Sequence, residues 1–209
     1  MRIFYLLFKT PISIIFRILP SQFCIFLKKI LIYTYSLWKS NEFKETGKYY
    51  LFQYPFYING GKNISIGNNF NCDQRLRLEA WDLYLGQKYC PEIIIGNNVS
   101  IQKDCHIGGI NKIIIGDNVL IASKVYISDH SHGEISKEEL SFSPIKRKLF
   151  SKGPVIIENN VWLGEGVIVL PNVIIGENSI IGANSVVSKS VPKNCVAAGN
   201  PARIIRELK

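Results

Sequence analysis

The sequence lacks the long uncharged stretch that a membrane-spanning helix needs. In the apolar front end, from Ile3 to Trp38, the longest stretch without charge is Ile18 to Leu27, and it contains Pro20. A spanning helix needs roughly 20 apolar residues. The front end also lacks an apolar core that ends at a small-residue cleavage site, as a secretory signal would have. These absences argue against a spanning helix and against a secretory signal.

Cysteine and charge are both scarce. The chain has five cysteines with no pair at metal-ligand spacing, which argues against a disulfide framework or a cysteine-based zinc site. Charged residues make up 20% of the chain and hydrophobic residues 47%, which excludes a disordered protein. We expect the cysteines to be reduced and mostly structural, which predicts a cytoplasmic protein. They are Cys24, Cys72, Cys90, Cys105 and Cys195.

Acidic residues are nearly missing from the first 48 residues, although the whole chain carries a net charge of +9. This segment has eight Lys or Arg and only Glu42 and Glu45. Its basic residues alternate with apolar runs and no nucleic-acid motif is visible, so the pattern suits an anionic lipid surface better than DNA. We predict that residues 1–48 form a helical apolar segment that contacts the membrane surface or caps a single domain formed by residues 49–209.

Aliphatic residues recur at every sixth position over much of this domain. A second series lies four residues after the first, and earlier stretches repeat the same step. A period of six fits neither an α-helix nor a plain sheet. It fits a mainly β solenoid in which each hexapeptide makes one short strand and one turn. The first series is Ile157, Leu163, Val169, Ile175, Ile181 and Val187.

The period is interrupted twice. A step of eight residues, from Ile107 to Ile115, predicts a small excursion from the solenoid over Gly108 to Lys112. A step of thirty separates Ile127 from Ile157, and thirty is a whole number of hexapeptides. The chain therefore leaves the solenoid as a loop over Ser128 to Pro154 and returns in the same register. Long loops on regular scaffolds are often functional.

Two of the three histidines stand at the entry of this loop, His130 and His132. Histidine suits proton transfer near neutral pH, and the neighbouring carboxylate of Asp129 can fix the tautomer of one imidazole. The third histidine, His106, adjoins the inward-facing Ile107 and is expected to face outward. It is a candidate to line the same groove.

Several motifs resemble a known family. They are VWLGEG at 161–166, VLPNV at 169–173, IGANSVV at 181–187, AAGNPAR at 197–203, the loop entry SDHSHG at 128–133, and YPFYI at 54–58. Together they resemble the hexapeptide-repeat O-acetyltransferases, which include the maltose and galactoside acetyltransferases and the O-antigen and capsule acetyltransferases. The resemblance extends over about 54–208.

The resemblance implies a left-handed parallel β-helix, a homotrimer, and acetyl-CoA in a groove between neighbouring subunits, without a metal. It implies transfer of acetyl from acetyl-CoA to a sugar hydroxyl of a surface glycan precursor, either O-antigen or capsule. The sugar acetyltransferases place a histidine base five residues past the last inward aliphatic residue, which is His132 here. His130 matches only if two residues are deleted, so His132 ranks first and His130 second.

The resemblance also points to cofactor-binding residues. Trp162 would border the pantetheine arm, and a backbone group at Ala183 would contact the cofactor. Ser188 and Lys189 match a pair near the adenosine end. Glu165 stands where relatives commonly have a serine at this contact. The phosphates would meet two arginines, Arg203 and Arg206.

The candidate acceptor site is a charged and aromatic cluster on an early coil. Aromatic faces suit sugar rings, and His106 would complete the site. An edge coil that exposes such residues without binding anything is the alternative. The cluster consists of Arg75, Arg77, Glu79 and Trp81.

Two other functions stay open. A zinc-dependent hydratase like the carbonic anhydrases of the same fold would use His106, His130 and His132 as ligands. The long loop and the C-terminal motif favour acyl transfer over this alternative. A non-catalytic membrane-bound scaffold is the other alternative, and the paired histidines argue against it.

Overall fold

The protein folds into three parallel sheets that run side by side along its length. The computed structural model describes residues 21–134 and 136–208, so the part of the apolar front end before Ser21 lies outside the described residues. The chain visits the three sheets in turn, one short strand at a time. Three successive strands make one coil of a triangular solenoid.

Sheet A contains β1 (Glu45–Thr46), β4 (Ile64–Ile66), β9 (Glu92–Ile95), β12 (Lys112–Ile115), β17 (Val155–Ile157) and β20 (Ile174–Ile175). Sheet B contains β2 (Leu51–Phe52), β5 (Asn71–Cys72), β10 (Ser100–Ile101), β13 (Leu120–Ile121), β18 (Trp162–Leu163), β21 (Ile180–Ile181), β23 (Cys195–Ala198) and the antiparallel β24 (Arg203–Glu207). Sheet C contains β3 (Tyr57–Asn59), β6 (Arg77–Ala80), β11 (His106–Gly109), β14 (Tyr126–Ser128), β19 (Ile168–Val169) and β22 (Val186–Val187).

The predicted six-residue series forms an aliphatic ladder, which is the core of the solenoid. Every member of the series from Ile157 to Val187 is fully buried. Ile157 pairs in register with Ile115 on one side and with Ile175 on the other, so the long loop changes neither the face nor the register of the ladder. Like residues stack directly because each coil repeats the last. The prediction of a mainly β hexapeptide solenoid is confirmed.

One helix, α1 (Ser21–Ser40), lies against the first coil. Its buried Ser36 accepts a hydrogen bond of 2.8 Å from the backbone N–H of Phe52, and the hydroxyl of Tyr35 donates to the carbonyl of Phe56 at 3.4 Å. The last turns of α1 thus cover the end of the core. The first coil begins at β1, before the predicted boundary at residue 49. No helix within the described ranges is both long and apolar enough to cross a membrane.

In the part of the chain that the structure describes, the excursions from the solenoid all occur at one edge, where the chain passes from sheet C to sheet A. The long loop connects β14 to β17 there and contains its own antiparallel pair, β15 (Ser131–His132) and β16 (Leu149–Phe150). The small excursion between β11 and β12 is shorter than predicted, because Gly108 and Gly109 remain in β11. The same edge carries a hairpin of β7 (Leu83–Tyr84) and β8 (Gln87–Lys88), which the sequence pattern did not reveal.

A second edge, between sheets A and B, is closed by a column of stacked asparagines. Each has a left-handed backbone with φ between 55° and 59°, and each side-chain amide except the last donates to the side-chain carbonyl of the next at 2.8–3.1 Å. Asparagine tolerates this backbone better than other residues with side chains. The asparagine column consists of Asn69, Asn98, Asn118, Asn160, Asn178 and Asn194.

Breaking the asparagine column in the middle should destabilise the fold. Asn118→Ala removes the bonds to Asn98 and Asn160 and places alanine on a left-handed backbone, so we expect a loss of about 1–3 kcal/mol in unfolding free energy. Asn118→Gly removes the same bonds without the backbone strain and should lose less. Chemical denaturation measures both losses, and equal losses would show that the backbone conformation contributes nothing.

Candidate functional site

The candidate site lies on the outward side of sheet C, beside the edge that carries the long loop. Arg77, His106 and Tyr126 are in register on three successive strands and form one row across the sheet. Glu79 is next to Gly108 in the adjoining row. The strand alternation that buries the aliphatic ladder therefore presents these polar side chains together on the opposite side.

The loop and the hairpin close over this row and leave a cavity of about 200 Å³. The cavity combines all three histidines with charged and aromatic side chains. It is lined by Arg77, Glu79, Trp81, Tyr84, His106, Tyr126, His130, Ser131, His132 and Leu149.

Asp129 and His130 form a fixed pair at the cavity. Asp129 is fully buried, and its two carboxylate oxygens accept hydrogen bonds of 2.9 Å from the backbone N–H groups of Ile110 and Asn111. Nδ1 of His130 lies 3.1 Å from Oδ1 of Asp129. Because a carboxylate can only accept, Nδ1 carries a proton and Nε2 is left free to take one. The small excursion between β11 and β12 supplies the two N–H groups that hold this arrangement.

His132 is held differently. It is exposed in β15, and its Nδ1 lies 3.4 Å from the hydroxyl of Tyr84. That hydroxyl donates to the carbonyl of Ile145 at 3.1 Å, so its oxygen can accept from Nδ1 of His132. The two rings also meet edge to face, with centroids 5.5 Å apart. No carboxylate has a hydrogen bond to His132 among the described residues.

A second carboxylate binds the third histidine. Nε2 of His106 donates to Oε2 of Glu79 at 3.0 Å, and Arg77 donates to Oε1 of the same carboxylate at 3.0 Å. These bonds, with that of His106 the stronger influence, hold the pKa of Glu79 below its ordinary value. Glu79 is therefore ionised at neutral pH.

Gly108 makes room for both imidazoles. A Cβ at this position would lie 3.2 Å from Nε2 of His106 and 3.6 Å from Cε1 of His130. The two histidines thus approach the same point above β11. Any side chain here would fill part of the space that they share.

The proposed acceptor cluster divides into two parts. Arg77, Glu79 and Trp81 line the cavity with the histidines. Arg75 does not, because it lies in a turn with a left-handed backbone and binds the carboxylate of Asp104 through two donors.

The residues matched to the cofactor lie elsewhere, on sheet B and at the C-terminal end. Trp162 is exposed in β18 and stands in one row with Ile180, Val196 and Arg206. Lys189 and Arg203 line a cavity of about 320 Å³.

The remaining matches occupy turns. Ala183 follows β21, where its backbone packs over Gly164, and Ser188 follows β22. Glu165 forms an ion pair of 3.1 Å with Lys124.

The cysteines stay away from this chemistry. Burial raises the pKa of Cys105, the neighbour of His106, to about 11, so its thiol is protonated at neutral pH. All five cysteines are free. Within residues 21–134 and 136–208, no group of three or more His, Cys, Asp or Glu side chains could hold a metal ion.

Sequence reasoning missed Tyr84, Tyr126 and Leu149 as lining residues. Tyr126 adjoins the inward-facing Ile127, so strand alternation could have placed it outward beside His106. Tyr84 and Leu149 come from the hairpin and the loop exit, and no repeat predicts where such segments fold back.

Comparison with known proteins places the chain in a family. Residues 154–189 match the family described as bacterial transferase hexapeptide (six repeats). The chain is 39% identical over 160 residues to WbbJ of Escherichia coli (strain K12), provisionally named a lipopolysaccharide biosynthesis O-acetyl transferase, with 75% of this chain and 78% of WbbJ covered. It is 34% identical to the galactoside O-acetyltransferase of the same strain, with 74% of this chain and 59% of that protein covered.

Two solved acyltransferase structures are also similar to the chain. A mutant of AntD, an N-acyltransferase from Bacillus cereus in complex with dTDP-4-amino-4,6-dideoxyglucose and coenzyme A, matches with a TM-score of 0.67 and 25% identity over 83% of this chain and 89% of AntD. A galactoside acetyltransferase in complex with coenzyme A matches with a TM-score of 0.52 and 33% identity, with 81% of this chain and 68% of that protein covered.

The fold and these similarities define an acyltransferase with a left-handed parallel β-helix. The chain belongs to the hexapeptide-repeat O-acetyltransferase family. Both the fold and the family agree with the prediction from the motifs.

Proposed function

We propose that the protein transfers an acetyl group from acetyl-CoA to a sugar hydroxyl of a surface glycan precursor, of the O-antigen or capsule type. The observation that carries this proposal is the fixed Asp129–His130 pair at a cavity lined by aromatic and charged side chains. The similarity to WbbJ supports a lipopolysaccharide-type glycan, and the coenzyme A in the galactoside acetyltransferase supports the donor.

The base in this mechanism is a loop histidine. The sequence ranks His132 first, whereas the geometry favours His130, whose Nδ1–H is held by a buried carboxylate. Nε2 of His130 accepts the proton of the acceptor hydroxyl, which is a weak nucleophile until that proton is withdrawn. Acetyl-CoA supplies the thioester carbonyl that the oxygen attacks. The imidazolium then returns its proton to the departing sulfur, while Asp129 stabilises its charge.

The cofactor candidates fit the chemistry of coenzyme A. Lys189, Arg203 and Arg206 offer cationic donors for phosphates, and the exposed ring of Trp162 offers an apolar surface for the pantetheine arm. These residues lie on sheet B and at the C-terminal end, while the histidines lie on sheet C and in the long loop beside it. We propose a homotrimer in which neighbouring subunits bring the two sets together. Light scattering of the purified protein tests this assembly.

The acceptor would bind against the aromatic side of the cavity. Trp81 and Tyr84 meet edge to face with centroids 6.4 Å apart, and Arg77 and Glu79 offer hydrogen bonds to sugar hydroxyls. We propose that the acceptor is lipid-linked and that the enzyme works peripherally at the cytoplasmic face of the membrane.

Release of coenzyme A thiol from acetyl-CoA tests the activity directly, with a panel of sugars and lipid-linked glycans as acceptors. Mass spectrometry of surface glycan from a deletion strain tests the substrate, and we expect one acetyl group to be lost. Absence of acceptor-dependent thiol release across the panel, together with unchanged glycan, would contradict the proposal. Stoichiometric zinc in untagged protein would favour the hydratase instead.

Tyr84 should influence catalysis through its hydroxyl. Tyr84→Phe removes the contact with His132 and the bond to Ile145, so we expect kcat/KM for the acceptor to fall up to about tenfold. Steady-state kinetics on the purified enzyme measures the change.

Tyr89→Phe is the matched control. The hydroxyl of Tyr89 also ties the hairpin to the loop, through both the N–H and the carbonyl of Leu149, but it touches no histidine. Tyr89→Phe should lower the melting temperature and leave kcat/KM near that of the wild type. Equal losses of kcat/KM in the two variants would assign Tyr84 a structural role only.

A further inference from the structure

We propose that α1 and the first coil together form a docking surface for an anionic lipid bilayer. This inference gives the proposed peripheral location a defined surface and a lipid class. It does not depend on acetyl transfer, because vesicle binding can be measured without an acceptor.

The helix leaves most of its apolar side chains in water. Nine large hydrophobic residues of α1 are exposed, among them Leu31 at 67% and Trp38 at 62%. An exposed apolar patch of this extent is unusual on a soluble protein and marks a contact surface. Among the described residues, the first coil bonds to the last turns of the helix, through Ser36 and Tyr35.

Within α1 itself, every charged residue that accompanies these side chains is basic. Lys28 and Lys29 are exposed in the middle of the helix, and α1 contains no acidic residue. The first 41 residues of the chain hold six Lys or Arg and no Asp or Glu. A second copy of the same surface would bring like charges together, whereas anionic headgroups complement them. Lysine stems can also extend along an apolar surface while their ammonium groups reach the headgroups.

Tyr49 connects the first coil to this surface. It occupies the position in the first coil that is in line with the asparagine column. Asn69 donates its backbone N–H to the carbonyl of Lys48, the residue before Tyr49, just as each later asparagine donates to the residue before the preceding asparagine. Its φ is 60°, which is unfavourable for a bulky side chain, and the ring is 80% exposed and gains little packing in return. A membrane interface would supply the missing contact, since tyrosine is enriched there.

Tyr49 is also adjacent to the helix. A cavity of about 310 Å³ is lined by Tyr33 and Leu37 of α1 together with Lys48 and Tyr49. On another side of the helix, Tyr54 of the first coil shares an apolar groove with residues of α1. The two exposed tyrosines of the first coil, Tyr49 and Tyr54, therefore flank the helix.

The first test removes the charge. Full-length protein should sediment with vesicles of equimolar phosphatidylcholine and phosphatidylglycerol, and much less with phosphatidylcholine alone. Lys28→Gln with Lys29→Gln should weaken binding to the anionic vesicles on the order of 30-fold, at about one kcal/mol for each lysine. The matched control, Lys103→Gln with Lys193→Gln, removes two exposed lysines of later coils and should bind as the wild type does.

The second test separates lipid binding from folding. Tyr49→Asn removes the ring and extends the asparagine column towards Asn69, so the melting temperature should rise by about 2–4 °C while vesicle binding falls several-fold. Leu85→Asn makes a matched change, because Leu85 is also exposed on a left-handed backbone, but in the hairpin. It should leave vesicle binding unchanged.

Three results would overturn the proposal. These are equal binding to neutral and anionic vesicles, unchanged binding after the double lysine change, and a change of oligomeric state in place of vesicle binding. The last would assign the surface to a subunit contact. Thiol release with a soluble acceptor, measured on the same samples, reports the proposed acetyl transfer independently.

Discussion

Replacing His130 by alanine is expected to lower kcat by about 10²–10⁴-fold. The acceptor hydroxyl then has no base whose tautomer is fixed, since Asp129 would retain its two backbone N–H bonds but have no imidazole to orient. Binding of acetyl-CoA should change little, because the residues proposed for it lie on another sheet. Thiol release under saturating substrates measures kcat, and calorimetry measures acetyl-CoA binding.

His132→Ala is the comparison that decides between the two histidines. The side chain of His132 is exposed and meets the hydroxyl and ring of Tyr84 rather than a carboxylate, so we expect its loss to cost far less than the loss of His130. A small effect of His130→Ala with a large effect of His132→Ala would return the base to the residue that the sequence ranks first. Unchanged activity in both variants would exclude a loop histidine as the base.

Replacing Asp129 by asparagine should have the next largest effect. The amide presents a single oxygen where the carboxylate presents two to Ile110, Asn111 and His130, so a donor loses its partner and the imidazole loses its orientation. We expect kcat to fall on the order of 10²–10⁴-fold. KM for the acceptor should change little, because Asp129 does not line the cavity.

The separate effects on kcat and KM distinguish this positioning role from simple destabilisation. Asp117→Asn makes the same change at another edge, where Asp117 accepts hydrogen bonds from the backbone and side chain of Asn97. We expect Asp117→Asn to lower the melting temperature with unchanged kcat and KM. If both variants lose activity only in proportion to their melting temperatures, Asp129 has no role beyond stability.

The scaffold was predictable because its information is local and repeated. An aliphatic residue at every sixth position, such as Ile157 and Leu163, specifies a strand, a turn and a buried side at once. A step of thirty residues, from Ile127 to Ile157, also revealed the long loop. Thirty is a whole number of hexapeptides, so the register is preserved and Ile127 pairs with Val169 of the next coil. From the sequence, the asparagines of the column could be recognised only as polar residues outside the core. Their hydrogen bonds join residues 16–42 positions apart, which no local pattern reveals.

The candidate site was only partly predictable. Strand alternation places His106 outward, and the period break draws attention to His130 and His132. The contacts that distinguish these two histidines come from segments without a repeat. Tyr84 reaches His132 from a hairpin 48 residues earlier in the chain, and the partners of Asp129 are backbone groups that no side-chain pattern records. Whether Arg75 shares the cavity likewise depends on a turn rather than on a strand.

The described excursions from the solenoid all leave at the edge between sheets C and A, so segments there can change in evolution independently of the aliphatic ladder. The hairpin and the long loop each leave and re-enter at a fixed strand, so a duplication, deletion or exchange of either changes the wall of the cavity without shifting the ladder. A change in the number of coils, in contrast, must add or remove a full circuit, such as the 18 residues that separate Ile157 from Ile175. Relatives should therefore diverge in acceptor preference by swapping segments at this edge, while the aliphatic ladder is inherited almost intact.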